Sequence, residues 1–421
     1  MRAAPDTSHE PAGGTERSLT TAGVLAFASA LGFVIYQLAV QTSYTTLRDS
    51  IEAELAISLV QSGIASSIFL LVYALMQIPA GLILDRVGPT PLLPIAVLAT
   101  GASAWLFAES ATLGMLVASR AMIGFAAAFA FPAVGLVGRR WLPPWCFALA
   151  MGGAEAAIGL GGTAGTFGAA HLEATIGWRA AATWFAAGAL PFAVMAAVFI
   201  RRAPSGSAAR AEAAPDSIGR AFLSVVSNRV VLLSAAVYAG ACGMLFGLGS
   251  FWNTPLATAW EWGPEQASWI NAAIFIGFGA GAPFFGWLGP RIGEVRTMTW
   301  SFLVAAATMV VWVLVPIDLG LAFDVVNVAI MGFACASSVL AFTLACGAVP
   351  AARTAAAVGM VNFAGIAAGA ILQVLPGILV PSAEGGSLRE QQEACFIFIL
   401  AVLGSALAAW RIGRGRTSRL A

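Results

Sequence analysis

An acidic residue lies deep inside one of the apolar stretches of this sequence. Glu155 follows Pro144 by 11 residues, so a helix that begins at the proline carries it about 16 Å along its axis, close to a bilayer midplane. It is the only acid predicted at that depth. Because lipid disfavours an ionised carboxylate, Glu155 must protonate or face water, which suits a proton-coupling site. The alternative is a neutral glutamic acid that bonds across helices and serves only the structure.

A basic residue lies in a second apolar stretch. Arg120 precedes Arg139 by 19 residues, or about 28 Å along a continuous helix, which places it in the outer third of the membrane. An arginine inside a span usually faces a cavity or a partner, and a guanidinium holds a carboxylate or phosphate through two hydrogen bonds. We therefore expect Arg120 to anchor an anion or to pair with a coupling acid. The competing interpretation is an arginine solvated from the outer mouth.

The composition places both residues in a membrane protein. Of 421 residues, 59% are apolar and only 10% are charged, against about 25% in a soluble domain. This balance excludes a water-soluble enzyme, a nucleic-acid-binding protein and a disordered chain. The two histidines and five dispersed cysteines form no metal motif, so we expect no metal, no cofactor and no nucleic-acid partner.

Apolar segments long enough to cross a bilayer succeed one another along the chain. Their number predicts an all-α integral membrane protein with about 12 transmembrane helices in two groups of six. The predicted helices lie near 19–42, 61–84, 89–108, 112–139, 146–170, 178–200, 230–252, 267–288, 296–316, 320–346, 354–380 and 394–413.

A polar stretch divides the chain nearly in half. We predict a disordered cytoplasmic tail at 1–18, a six-helix bundle at 19–200, a cytoplasmic central loop at 201–229, a second bundle at 230–413 and a cytoplasmic tail at 414–421. With both termini inside, 17 of the 21 arginines fall on the inner side, as the positive-inside rule requires. This predicts a multi-pass protein of the cell (inner or plasma) membrane.

The two halves carry related sequences. The run 81–88 recurs as 286–293, with glycine, arginine and glycine at a constant offset of 205, and two further matches follow at offsets of 208 and 207. The last offset pairs Glu155 with Asn362, which makes Asn362 a second candidate for a central site between pseudo-symmetric bundles. Tyr238 and Gln37 are weaker candidates, because a polar residue in a span more often bonds a neighbouring helix than a substrate.

Three motifs occur within 19–413: Gly81-x-x-x-Asp85-Arg86-x-Gly88 after helix 2, Arg120-x-x-x-Gly124 in helix 4 and Gly177-Trp178-Arg179 before helix 6. Together they resemble the motifs of the major facilitator superfamily. The resemblance implies that the aspartate of the first motif faces the N-terminus of helix 11 and locks the inner gate in one state. The competing interpretation is an ordinary basic loop.

Two positions depart from the pattern of that family. The second copy of the loop keeps Arg291 and Gly293 but has Pro290 in place of the acid, so we expect the two halves to be locked unequally. Helix 5 keeps the glycine spacing of the antiporter motif but has Thr166 where its proline belongs. This second departure argues against drug efflux.

These features predict a secondary active transporter that works by alternating access, with its substrate between rocking halves. The sequence has no ATP-binding motif, so proton coupling through Glu155 is the leading hypothesis. We expect the substrate to be a small organic anion that Arg120 attracts. The alternative is proton-driven efflux of lipophilic or cationic compounds, which Glu155 would attract. A non-transporting membrane sensor is the alternative of another class. We expect no enzymatic activity, and a functional monomer whose partners are its solute, protons and the lipid bilayer.

Overall fold

The computed structural model describes residues 18–201, 218–315, 320–380 and 387–417. In this part, 12 helices are long and apolar enough to cross a bilayer, which confirms the predicted all-α, twelve-span class. The predicted tail at 1–18, apart from Ser18, lies outside the described residues, as do 202–217 and 418–421. The spans are α1 (Thr21–Leu55), α2 (Gln61–Val87), α3 (Pro89–Ala108), α4 (Leu113–Trp141), α5 (Pro144–Ile176), α6 (Trp178–Phe199), α7 (Arg229–Gly249), α8 (Glu265–Ile292), α9 (Glu294–Leu314), α10 (Leu321–Gly347), α11 (Ala351–Leu379) and α12 (Leu388–Arg414).

The first helix is longer than its apolar segment. It was expected to end near 42, but it continues to Leu55 because the polar side chains of its last turns find partners on neighbouring elements. Ser50 donates to Glu173 on α5, and Glu54 forms a salt bridge with Arg179 at the start of α6, N···O 2.8 Å. Hydropathy marks where a helix is apolar, whereas its end depends on hydrogen-bond partners that lie elsewhere in the chain.

The segment predicted as the central loop, 201–229, is partly helical. It contains a nine-residue amphipathic helix, Ile218–Val226, which we call the connecting helix. The helix that contains α12 likewise runs to Thr417, into the segment predicted as a tail. The connecting helix and the last turns of this helix both lie in segments that are too polar to be predicted as spans.

Two glycines make the tight turns that follow α2 and α8. Gly88 has φ 88° and Gly293 has φ 99°, a backbone conformation that only glycine adopts without strain. Each joins two spans through a single residue, since α2 ends at Val87 and α3 begins at Pro89. The repeated loop is therefore held against the same end of both bundles.

Helices α1–α6 and α7–α12 form two bundles that meet along two seams, α2 against α11 and α5 against α8. The backbones almost touch there. A Cβ atom at Gly81 would collide with the carbonyl of Ala355, and one at Gly286 would collide with the carbonyl of Ala148. Small residues permit this approach between helices in a membrane. The seams hold the bundles together at the end where α2 and α8 finish.

That end of the molecule carries most of the arginines that the structure describes, and we call it the arginine-rich end. Its arginines at the ends of spans include Arg86, Arg139, Arg140, Arg291 and Arg353.

Candidate substrate cavity and gate

A cavity of about 280 Å³ lies between the two bundles, bounded by α1, α2, α4, α5, α7 and α11. Much of its wall is apolar and includes Phe131 and Phe246. Among the described residues, no charged side chain lines it. Its polar wall consists of amides and phenols: Gln37, Gln41, Tyr73, Tyr238, Asn362 and Gln373.

An irregular stretch of α7 shapes one side of this cavity. The helix is α-helical from Arg229 to Cys242 and π-helical from Gly243 to Trp252. A π-helix has more residues per turn, so side chains after Cys242 point in different directions from those of a regular helix. Cys242 and Phe246 both reach the cavity from this junction.

Glu155 lies beside the cavity, behind Tyr238. The Tyr238 hydroxyl donates to Glu155 Oε1 at 2.8 Å, and Glu155 is only 6% exposed. This hydrogen bond joins α5 of the first bundle to α7 of the second. The Tyr238 ring packs edge-on against Phe342, with centroids 4.7 Å apart, and Phe342 also contacts Phe131. The three rings hold the hydroxyl opposite the carboxylate.

A second polar bond crosses between the bundles at Asn362. Its Nδ2 donates to Oε1 of Gln77 on α2 at 3.0 Å, and the Tyr73 hydroxyl lies beside both amides. Glu155 and Asn362 therefore do not bond each other, since each bonds a residue of the opposite bundle. Gln77 is not among the site residues predicted from the sequence. The available signal was a glutamine in an apolar helix, two turns before Asp85.

Gln37 brings an unsatisfied acceptor to the cavity. It lines the cavity from α1 and is 1% exposed. Its Oε1 accepts no hydrogen bond within the described part of the chain. A buried acceptor without a donor is destabilising by about 1–3 kcal/mol, so rotation of this side chain toward a ligand that donates a hydrogen bond would relieve a penalty.

Arg120 lies outside the cavity. It is 2% exposed and sits within the first bundle, with its guanidinium carbon 4.5 Å from the Tyr44 ring centroid and 4.8 Å from that of Phe69. Its Nε donates to the carbonyl of Ala65 at 3.3 Å. Two aromatic faces thus surround the cation, an arrangement that stabilises it by cation–π attraction. The structure brings Arg120 neither to the cavity wall nor to the outer solvent that the sequence analysis considered.

Asp85 lies at the start of α11. Its Oδ1 accepts from the backbone N–H of Ala355 and its Oδ2 from that of Ala356, both at 2.9 Å. The first N–H groups of a helix have no intrahelical partner and carry the positive end of the helix dipole, so a carboxylate satisfies two of them at once. Gly81 permits this contact, because it lies against Ala355 without a side chain.

The other residues of the repeated loop do not join the bundles in this conformation. Arg86 is exposed beside Gly88. In the second copy, Arg291 is also exposed and stacks on the Trp287 ring of its own helix, with its guanidinium carbon 4.4 Å from the ring centroid. Pro290 offers no carboxylate to α5. At its glycines the α5–α8 seam therefore closes by close backbone contact, without a carboxylate from the repeated loop.

The contacts between the bundles are distributed unevenly along the membrane normal. The hydrogen bonds and the ring contact between the bundles that are described above lie between the level of Glu155 and the arginine-rich end. The cavity extends from Phe131 near the midplane toward Gln41 and Gln373, away from that end. The protein is therefore closed at its arginine-rich end.

Comparison with known proteins agrees with this architecture. The profile of the Major Facilitator Superfamily matches residues 22–254. A crystal structure of a transporter of that superfamily, FucP, in the outward conformation, covers 92% of this chain and 99% of its own chain, with 13% identity and a TM-score of 0.71. A search of curated proteins found no match. In the described residues, no group of three or more histidine, cysteine or acidic side chains is placed to hold a metal ion. The motifs, the twelve-span fold and the profile agree, and the chain belongs to the Major Facilitator Superfamily.

Proposed function

We propose that this protein is a proton-coupled secondary transporter in which Glu155 carries the proton. The observation that supports the proposal is the Tyr238–Glu155 hydrogen bond, which links the two bundles at the edge of the cavity. A site that alternates between two sides of a membrane must break and remake such a link in each cycle. Protonation changes the carboxylate from an acceptor only to a group that also donates, so the strength of this link depends on the proton.

Substrate and proton meet at the same wall of the cavity. Tyr238 lines the cavity with its ring and holds Glu155 with its hydroxyl. A solute that draws the hydroxyl away from Glu155 releases the carboxylate, and a proton that neutralises Glu155 frees the hydroxyl for the solute. Binding of one partner therefore changes the affinity for the other, which is the condition for coupled transport.

We propose an uncharged polar solute as the substrate class. The polar wall is made of amides and phenols, and Gln37 Oε1 requires a donor. An anion would have no counter-ion there, because Arg120, on which the expectation of an organic anion depended, lies within the first bundle. Apolar wall residues, among them Phe131, favour a solute that also has an apolar face.

A lipophilic cation is the second candidate. Within the described residues, Glu155 Oε2 has no hydrogen-bond partner, and aromatic rings surround the adjacent hydroxyl. A cation balanced by this carboxylate would compete directly with a proton, which is the arrangement that an exchanger requires. A protonated amine would also donate to Gln37 once that side chain turned toward it, so the two classes must be separated by experiment.

The deciding experiment is uptake into proteoliposomes under an imposed pH gradient, with uncharged polar solutes, organic anions and cationic dyes tested in parallel. We expect a pH gradient to drive accumulation of an uncharged solute. The variant Glu155→Gln should lose this accumulation. Glu109→Gln is its matched control, because Glu109 is an exposed acid at the end of α3, outside the cavity lining. Accumulation of an organic anion alone would contradict the proposed substrate class. Absence of transport in every class would favour the non-transporting sensor.

A further inference from the structure

Arg139, at the end of α4, reaches across to the second bundle. Its guanidinium donates to the carbonyl of Cys346, to the carbonyl of Val349 at 3.2 Å and to Thr354 Oγ1 at 2.9 Å. The acceptors lie at the end of α10, in the connection that follows it and at the beginning of α11. One side chain of the first bundle thus binds the whole connection between two spans of the second.

The acceptors suit a cation. The last carbonyls of α10, which ends at Gly347, have no intrahelical donor and form the negative end of that helix dipole. A guanidinium presents several N–H groups in a fixed plane, so it bonds acceptors that point in different directions at the same time. A neighbouring side chain of the first bundle does the reverse, since Asp85 binds the N–H groups of α11.

We propose that Arg139 is a gate residue that closes the arginine-rich end together with Asp85. We call this pair of side chains the helix-end clamp. The first bundle places a cation on the negative end of α10 and an anion on the positive end of α11. Both contacts require the bundles to be closed at this end, so each must break when the cavity opens there. The clamp therefore sets the balance between the two states of the transporter.

The repeat shows that the clamp is present on one side only. An offset of 207 takes Arg139 to Cys346, a residue whose own carbonyl Arg139 binds, and an offset of 205 takes Asp85 to Pro290. The second bundle thus has neither charge to offer to α4 or α5. At the two repeat-related positions the charges thus come from α2 and α4 of the first bundle, and substitutions at Arg139 and Asp85 have no charged counterpart at Cys346 or Pro290 to compensate for them.

The test measures distances between spin labels at the arginine-rich end of the full chain in lipid. Val87→Cys and Ile292→Cys supply the labels, since these repeat-related residues are about half exposed and lie at the ends of α2 and α8. We expect Arg139→Gln to raise the ratio of open to closed populations by about five- to thirtyfold, the effect of one or two kcal/mol. Arg201→Gln is the control, because Arg201 lies at the same end, is exposed and donates to the carbonyl of Val198 at the end of α6 of its own bundle.

The outcomes separate a gate residue from a merely structural one. A wild-type distance distribution for folded Arg139→Gln, or an equal shift for Arg201→Gln, would overturn the proposal, even if Arg139→Gln lowers the melting temperature. If Arg139→Gln does not accumulate as folded protein, Arg139→Lys decides, because it keeps the charge and loses the planar fork. A rise in the open population supports the clamp, and an unchanged distribution for Arg139→Lys refutes it.

Discussion

Replacement of Asp85 by asparagine should open the arginine-rich end. The carboxylate accepts one N–H from Ala355 and one from Ala356, each at 2.9 Å. Asparagine has a single acceptor oxygen, so its NH2 group would face the second N–H, donor against donor. The variant loses one hydrogen bond to a charged acceptor, about 1.5–3 kcal/mol. Since about 1.4 kcal/mol corresponds to a tenfold change, the open population should rise roughly ten- to a hundredfold relative to the closed one.

The assay uses the label pair at Val87 and Ile292, with the melting temperature measured on the same samples. Arg86→Gln is the neighbouring control, because Arg86 is exposed and the structure shows no hydrogen bond from it to the second bundle among the described residues. We expect its distance distribution to match the wild type. An unchanged distribution for folded Asp85→Asn would show that the loop serves only membrane topology.

Three further predictions concern other parts of the molecule. Tyr238→Phe keeps the ring packing and removes the hydrogen bond to Glu155, so the pH dependence of transport should change while the amount of folded protein stays near that of the wild type; an unaltered pH profile would contradict the coupling route. Arg120→Lys should lower the melting temperature, since an ammonium stacks poorly between two rings, but transport per folded molecule should persist, and a selective loss of anion transport would restore the anion hypothesis. A cysteine at Arg201 should react with membrane-impermeant reagents only from the cytoplasm and one at Glu265 only from outside, and reversed labelling would overturn the proposed orientation.

The sequence predicts where a residue lies along its own helix, whereas it does not predict the partners of that residue. The position of Glu155 near the midplane follows from its distance to Pro144, because an α-helix rises 1.5 Å per residue. Its partner Tyr238 is 83 residues away on another bundle, and no spacing rule connects the two. Arg120 shows the same limit. The two rings that enclose it come from α1 and α2, and its position within helix 4 did not predict them.

A sequence motif predicted a contact where its side chain suits one kind of partner. Asp85 has a carboxylate that suits a helix N-terminus, and the structure places it there through two hydrogen bonds. The sequence did not predict that Gln77 and Arg139 contact the opposite bundle, because an amide in a span and an arginine at the inner end of a helix are common features of membrane proteins. Their roles depend on which helices of the opposite bundle they meet, and that information lies only in the packing.

The most direct test of the proposed mechanism is Glu155→Gln in proteoliposomes, measured for accumulation under a pH gradient and for exchange of labelled substrate without one. Glutamine keeps nearly the same volume, and its amide oxygen accepts from Tyr238 more weakly than a carboxylate does, so the fold should survive in a state that resembles the protonated acid. We predict loss of gradient-driven accumulation with retention of exchange, because the variant cannot bind or release the coupling proton. Normal accumulation by Glu155→Gln at wild-type protein amounts would contradict the central claim that Glu155 couples protons to transport.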